Sequence, residues 1–544
     1  VDKIIGFTLT RKPAESLPPL WLGDYPWLVT KTIEQKGWSL LLWGHGDLGK
    51  FVQPDGAVVI GYSDTELASL SIYPLQNRGL VITLGEKEAT ITNDALGMMQ
   101  VYYGANGADN STPYVSTCEE SVLRSLGMVT LNPGRLVSYL VFQSTVATLT
   151  LWNEVDKLYA NSVLVVGSDG SFKQEWQSPL EPYRLSGDLV AQMESALRET
   201  ALRYTEPLDD VILPLSHGHD SRLLLAHIRR PERIHARTYP LSHPVDRNFE
   251  TVIARESAHR RGVTDHRIVD FGQNQLADYT ELSIRRFGSP LGAVQVYIYG
   301  AAERFGQELR LPIISGANGD EHAGVAVNRS RNKLSESSAP ADRFESACYC
   351  WTKAWLPDEL DACLNFDWRA ALKPVKDVWA SIWQNTEGDD LLRHAHLIHT
   401  RNRGSQYITY AWAWSDVWGG FVTPYDDREY IRFMYSLPHE LRENRNGQVQ
   451  VFQRYHSDIY PTAGKVEGQD FERTNRLDLD ALVKAKEAAL WPLAADGSKP
   501  SCGLFRPDKI ATLYNNAVNG SLRSYYLLNS IQPLAWAIDE EYVK

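Results

Sequence analysis

Val211-Ile212-Leu213-Pro214-Leu215-Ser216-His217-Gly218-His219-Asp220-Ser221 decides how this chain is read. Apolar residues in a row, stopped by a polar loop, read as a short buried strand. The run from Arg222 to Ile228 has helical character, so the loop joins a strand to a helix. Backbone N–H groups in such a turn converge on an anion, and the positive end of the following helix adds to them. Ser216 and Ser221 can donate hydroxyl hydrogen bonds to phosphate oxygens. Asp220 repels a bare phosphate and makes sense there only with a cation between the two, for which Mg2+ is the usual choice. Two plainer readings stay open on these residues alone. Ser and Asp cap helices with no ligand present. His217-x-His219-Asp220 also suggests metal-hydrolase ligands, although position 222 is Arg and no second H-x-H follows.

About a hundred residues further on, Ile313-Ile314-Ser315-Gly316-Ala317-Asn318-Gly319-Asp320-Glu321-His322-Ala323-Gly324 repeats the same grammar. An apolar strand ends in a Gly-rich turn that presents carboxylates. In an open parallel sheet the C-terminal ends of the strands meet along one edge, where ligands bind. Asp220 and Asp320 would face each other across that edge and together make a Mg2+ site. Taken alone, Asp320 is an ordinary turn residue.

The surrounding sequence supports a parallel sheet. A helical spacing over Leu189 to Arg203 precedes the first strand. Ile234 to Tyr239 reads as a second strand, Asn248 to Arg261 as a helix, and Leu311 to Ile314 as a third strand. Alternation of this kind places helices on the faces of a parallel sheet. Before it, roughly the first 165 residues read as β-rich, with apolar runs at Ala57 to Ile60, Leu80 to Leu84, Leu136 to Phe142 and Ser162 to Val166. Ser168 to Gly187 has the composition of a linker. From about Ser346 onward the chain reads as mostly helical and rich in Trp.

The two loops resemble the pyrophosphate-binding S-G-G-x-D-S and the S-G-x-G-x-D-E-x-x-G motifs of the asparagine synthetase family, which includes β-lactam synthetases, carbapenam synthetase and lasso peptide cyclases. Between them, Thr238-Tyr239 resembles the strand end near the adenosine, and Glu250 to Gly262 the helix after it. Downstream, Pro424-Tyr425-Asp426 and Leu437-Pro438 are similar to the P-F-L-D and L-P segments. Tyr460-Pro461-x-x-Gly464-Lys465 resembles the stretch that carries a catalytic lysine, which would be Lys465. Upstream, Asp94-Ala95-Leu96-Gly97 to Tyr103 resembles a turn of the family's amidotransferase-like domain, and Asn132-Pro133-Gly134 a later P-G turn.

The resemblance implies an N-terminal α+β amidotransferase-like sandwich of the Ntn type over 1–180. It implies an α/β PP-loop domain with a parallel sheet and a helical C-terminal part over 188–544. It also implies chemistry: a substrate carboxylate attacks Mg·ATP, and the acyl-adenylate is then captured by an amine. Asp220 and Asp320 would hold Mg2+, Ser216, Gly218, Ser221 and Gly316 would bind the pyrophosphate part of ATP, Thr238 would lie near the adenosine, and Lys465 would stabilise charge on the reacting groups.

Departures from the family pattern narrow this reading. Glutamine-dependent members begin with a cysteine whose own α-amine serves as its base. The sequence opens Val1-Asp2-Lys3 and its first cysteine is Cys118, so the amine is expected to come from the substrate. Closure of a lactam or macrolactam follows if acid and amine share a molecule; a precursor peptide and a peptide-processing partner protein would then belong to the system. The alternatives are a glutamine-dependent asparagine synthetase that has lost its terminal Cys, and a catalytically inactive member. His217 stands where the family has Gly, and either points away from the phosphates or donates to them. Asn318 replaces a second Gly, and Asn tolerates positive φ best among other residues. Ala317 stands where relatives carry Glu or a catalytic Tyr, so another group must activate the amine unless adenylation suffices.

A formal charge of −12 argues against a nucleic-acid surface. No apolar run is long enough to span a bilayer, and the five cysteines form no C-x-x-C pair, which suits a cytoplasmic setting. Trp351, Trp355, Trp412, Trp414 and Trp418 could line a substrate groove or pack a core.

Overall fold

In the computed structural model, residues 2–12, 19–53, 56–61, 77–106, 112–240, 249–270, 293–324, 338–348, 355–386, 390–459 and 503–521 are described, with shorter pieces at 278–279, 282–283, 286, 334–335, 523–525, 527–528 and 530–531. The N-terminal part opens with β1 (Lys3–Thr10), β2 (Val29–Gln35), β3 (Trp38–His45), β4 (Val58–Gly61), β5 (Gly79–Leu84) and β6 (Glu88–Asn93). It continues with β7 (Tyr102–Asn106), β8 (Thr112–Ser116), β9 (Asp156–Lys157), β10 (Ser162–Gly167) and β11 (Phe172–Trp176). These strands form two sheets, in the orders β2-β3-β1-β8-β7-β9 and β11-β10-β6-β5-β4, with antiparallel neighbours.

The sheets share a core. Phe7, Leu9, Leu40 and Leu42 from one meet Ile60, Leu80, Ile82, Ile91 and Leu164 from the other. Alternation alone would turn Ile4 away from Phe7 and Leu9, but a register shift between Ile4 and Gly6 brings it to the same core. The opposite face of the larger sheet is also covered. Ile5, Leu41, Trp43, Tyr102 and Tyr114 pack in a second core with α1 (Glu119–Leu126), α2 (Pro133–Phe142) and the C-terminal helices Pro340–Cys348 and Trp368–Asn385. That double burial is why every residue of β1 is inaccessible.

Two sequence expectations need correction here. The apolar run Leu136 to Phe142 is helical, because Asn132 caps the backbone N–H of Arg135 and Pro133 begins the first turn. The expected linker from Ser168 to Gly187 contains β11, which pairs back on β10 through the turn at Gly170.

The second part is built on β12 (Val211–Pro214), β13 (Ile234–Thr238), β14 (Asp265–Ile268), β15 (Ile313–Ile314) and β16 (Phe421–Val422). All neighbours are parallel, in the order β14-β13-β12-β15-β16. Helices α3 (Leu189–Thr205), α4 (His219–His227) and α5 (Phe249–Arg260), with Ala293–Leu309, accompany this sheet, and a mostly helical stretch surrounds β16. Strand order grows outward from β12 in one direction through β14 and then restarts on its other side at β15. Such a reversal opens a crevice at the C-terminal ends of the two adjoining strands. The loops after β12 and β15 are the two that sequence singled out.

The halves are tied by buried charge. Lys3 Nζ lies 2.5 Å from Asp416 Oδ1, and Arg78 pairs with the other oxygen of the same carboxylate. The turn at Asp94 is a second junction. Its carboxylate accepts from the N–H groups of Leu96, Met98 and Gly79, while Arg401 Nε donates to the carbonyl of Ala95 at 3.0 Å.

Candidate functional site

The loop after β12 closes through its own serines. Ser216 N–H donates to Ser221 Oγ at 3.1 Å, Gly218 N–H donates to Ser216 Oγ at 3.0 Å, and the two hydroxyls are 3.2 Å apart. Helix α4 then starts at His219 with no side-chain cap. The first N–H groups of a helix lack intrahelical acceptors, so this start is chemically suited to an anion. The ring of His217 turns toward Glu250 of α5, with Nδ1 3.6 Å from the carboxylate, whereas His219 is buried against Phe452. The two imidazoles go to different neighbours, and with Asp220 they form no ligand cluster among the described residues.

The loop after β15 is pressed against the first. A Cβ on Gly316 would stand 2.8 Å from Ser221 N, and one on Gly319 would stand 2.5 Å from Asp220 Oδ1. Both positions therefore require glycine for close approach. Asn318 takes φ 64°, in the left-handed region, and its amide donates to Thr409 Oγ1 and to both oxygens of Asp426. His322 reaches the same Asp426 carboxylate at 3.2 Å. Tyr425 Oη donates to the carbonyl of Asp220 at 2.7 Å, so the Pro424-Tyr425-Asp426 segment buttresses both loops.

Asp220 and Asp320 are brought to one centre. Arg445 Nη1 donates to Asp220 Oδ2 at 3.1 Å, and Nη2 donates to Asp320 Oδ2 at 3.0 Å. Gln448 Nε2 donates to Asp220 Oδ1 at 3.0 Å and to the carbonyl of Gly319 at 3.2 Å. Two carboxylate oxygens on one centre are a fitting donor pair for a hard divalent cation. Their counterion in this arrangement is a guanidinium, 9% exposed. Its backbone is unusual as well: Asn444 and Arg445 have φ of 52° and 61° in succession. For non-glycine residues this costs about 1–3 kcal/mol each and persists where surrounding structure holds it.

The remaining sequence candidates fall out differently. Thr238 ends β13 but is buried; its hydroxyl donates to Leu215 O at 2.7 Å and accepts from His266 Nε2 at 2.8 Å. Its side chain braces the strand ends. Lys465 and Trp351 lie outside the described residues. Trp355, Trp412, Trp414 and Trp418 are all buried in the cores. Cys118 is buried too, and burial pushes its thiol up to about 12, which makes it a poor nucleophile at neutral pH. Arg445 and Gln448 were invisible to the motif reading. Asn446-Gly447 signals a turn there, but nothing in the sequence says where the guanidinium before it points. No protein-family model matches the chain, and no curated protein matches it.

Proposed function

We propose that this chain is an ATP-dependent amide-bond synthetase of the asparagine synthetase type, which adenylates a carboxylate and joins it to an amine. The observation that carries the reading is the meeting of Asp220 and Asp320, from two strand-to-helix loops, on one cationic centre at the switch point of a parallel sheet. Beside that centre lies the uncapped start of α4. An anion-binding helix start beside a carboxylate pair fitted to a divalent cation suits a nucleotide polyphosphate.

In this mechanism Asp220 and Asp320 would hold Mg2+, which would supply neutralisation of polyphosphate charge. Ser216, Gly218, Ser221 and Gly316 form the cradle for pyrophosphate, with donors supplied by the loop and the start of α4. With that ion in place Arg445 would be displaced from the carboxylates, and its charge would be available to the phosphates. The substrate carboxylate attacks the α-phosphorus, the bond to pyrophosphate breaks, and an amine then displaces AMP. Lys465 stabilises charge developing on the acyl oxygen and phosphate. Cys118, whose thiol burial pushes up, is unsuited to hydrolyse glutamine itself, and in this reading the amine comes from the substrate. Acid and amine within one small molecule or peptide would give a lactam or macrolactam, and proximity then contributes about 7–11 kcal/mol toward the barrier.

A second reading is a non-catalytic protein that keeps the fold, favoured by Arg445 standing between the aspartates. ATP–pyrophosphate exchange with a panel of carboxylic acids and peptides separates the two. Mg2+-dependent exchange with at least one acid supports the synthetase, and exchange with none supports the non-catalytic reading.

A further inference from the structure

At the opposite end of α4 from Asp220, three side chains meet that the proposed chemistry does not use. Glu194 of α3, His227 of α4 and His456, just after helix Asn446–Tyr455, are each more than nine-tenths buried. Their ligand-type atoms all lie within 4.8 Å of one another. Glu194 Oε2 is 3.1 Å from His456 Nε2 and 3.5 Å from His227 Nε2. Metal–nitrogen and metal–oxygen bonds of about 2.0–2.2 Å in a tetrahedral site place neighbouring ligand atoms about 3.3–3.5 Å apart. The two imidazole–carboxylate separations lie close to that spacing, and the two imidazoles offer ligand atoms within 4.8 Å of each other.

His227 Nε2 is the second observation. It is buried, points at the carboxylate and makes no hydrogen bond among the described residues. A satisfied core histidine would close that gap or find an acceptor. Both imidazoles also sit at helix C-termini, His227 in the last residue of α4 and His456 directly after Asn446–Tyr455. The negative ends of two helix dipoles thus favour a cation at this point. We infer that Glu194, His227 and His456 form a binding site for a first-row divalent cation, Zn2+ foremost, held by two imidazoles and one carboxylate with a fourth position for water.

The charged neighbours set the proton balance. Arg261 Nη2 donates to His456 Nδ1 at 3.3 Å and to Asp458 Oδ1 at 2.9 Å, which places the His456 proton on Nε2. A cation on Nε2 would require that proton to leave it; moved to Nδ1, it would end the bond from Arg261, which would swing away and keep Asp458 as its partner. The site would join the C-terminal end of α4 to that of Asn446–Tyr455. The N-terminal ends of these two helices carry Asp220 on one side and Arg445 with Gln448 on the other. Zn2+ here acts as a brace for the nucleotide loops and takes no part in bond making, so the inference stands or falls apart from the proposed activity.

The test uses the full chain, stripped with a chelator and titrated with Zn2+ by calorimetry and with Co2+ by visible absorption. The expected result is one ion per chain, the d–d bands of tetrahedral cobalt, and a thermal midpoint that rises by several degrees with Zn2+. His227→Gln should weaken binding by more than the roughly 10–100-fold that loss of an outer-sphere partner costs. Asp320→Asn should bind Zn2+ as the wild type does. Absence of stoichiometric binding at micromolar Zn2+, an octahedral cobalt spectrum, or unchanged binding by His227→Gln would overturn the inference. If His227→Gln does not fold, the wild-type stoichiometry and cobalt spectrum decide.

Discussion

Asp220 and Asp320, about a hundred residues apart in sequence, share the two terminal nitrogens of the Arg445 guanidinium at 3.1 and 3.0 Å. Two carboxylates that share one cation can exchange it for another. In the resting protein the guanidinium offsets their mutual repulsion, and with nucleotide bound a divalent ion would do so. This relationship gives the site both its stability and its proposed chemistry.

Neutralising one aspartate separates those two contributions. Asp320 is partly exposed, so Asp320→Asn should change stability by no more than about 1 kcal/mol. ATP–pyrophosphate exchange should fall on the order of 10²–10³-fold, as when one preorganised electrostatic partner is removed. Denaturant unfolding and exchange rates on the same preparation check both outcomes.

Removing the guanidinium should have the opposite signature. Arg445→Ala leaves two like charges facing each other at a partly exposed position, at a cost of about 1 kcal/mol in metal-free buffer. Mg2+ should restore more stability to this variant than it adds to the wild type. Thermal midpoints measured with and without Mg2+ test the exchange of one cation for the other.

Close approach at Gly319 is a steric requirement. The Cβ of Gly319→Ala would fall 2.5 Å from Asp220 Oδ1, and the carboxylate must shift to admit it. The fold should survive while exchange activity drops about 10²-fold, since displacements of this size in a positioned group carry that penalty. Circular dichroism with an activity assay distinguishes this outcome from unfolding.

Acid should loosen the strand ends at Thr238. His266 donates Nε2–H to that hydroxyl, and burial followed by the charges of Arg255 and Arg237 pushes its pKa down to about 4. The unfolded ring titrates near 6.5, so between the two values the unfolded state binds more protons. Stability should therefore be intact above about 6.5, fall as pH drops toward 4, and level off for this group below that. The ring is only partly buried, which limits its share to about 2 kcal/mol. His266→Asn should flatten the profile of thermal midpoint against pH in this window.

Lys465→Ala should leave the fold intact and lower turnover by about 10²–10³-fold. Single-turnover measurement of AMP release checks this, and unchanged turnover would remove Lys465 from the proposed site.

Much of the second part of the fold was legible because strong local signals coincide with burial. Val211 to Leu215 could hardly be other than a central strand, and the polar loop after it had to precede a helix. Other elements gave no such signal. β14 reads Asp265-His266-Arg267-Ile268, polar because it lies at the sheet edge, and β16 has two residues. In the N-terminal part, Leu136 to Phe142 is apolar enough for either type of element, and only Asn132-Pro133 marks it as a helix. The aspartates were readable from their loops. Their counterion was not, because the position of Arg445 depends on two successive left-handed residues and on a helix that docks from far along the chain.

Binding of ATP measured by calorimetry, with and without Mg2+, in the wild type and in Asp320→Asn tests the central claim most directly. The expected result is wild-type binding that requires Mg2+ and is lost, or weakened at least about 10²-fold, in the variant. ATP binding indifferent to Mg2+ and to Asp320, or no binding by the wild type under any condition, would contradict it.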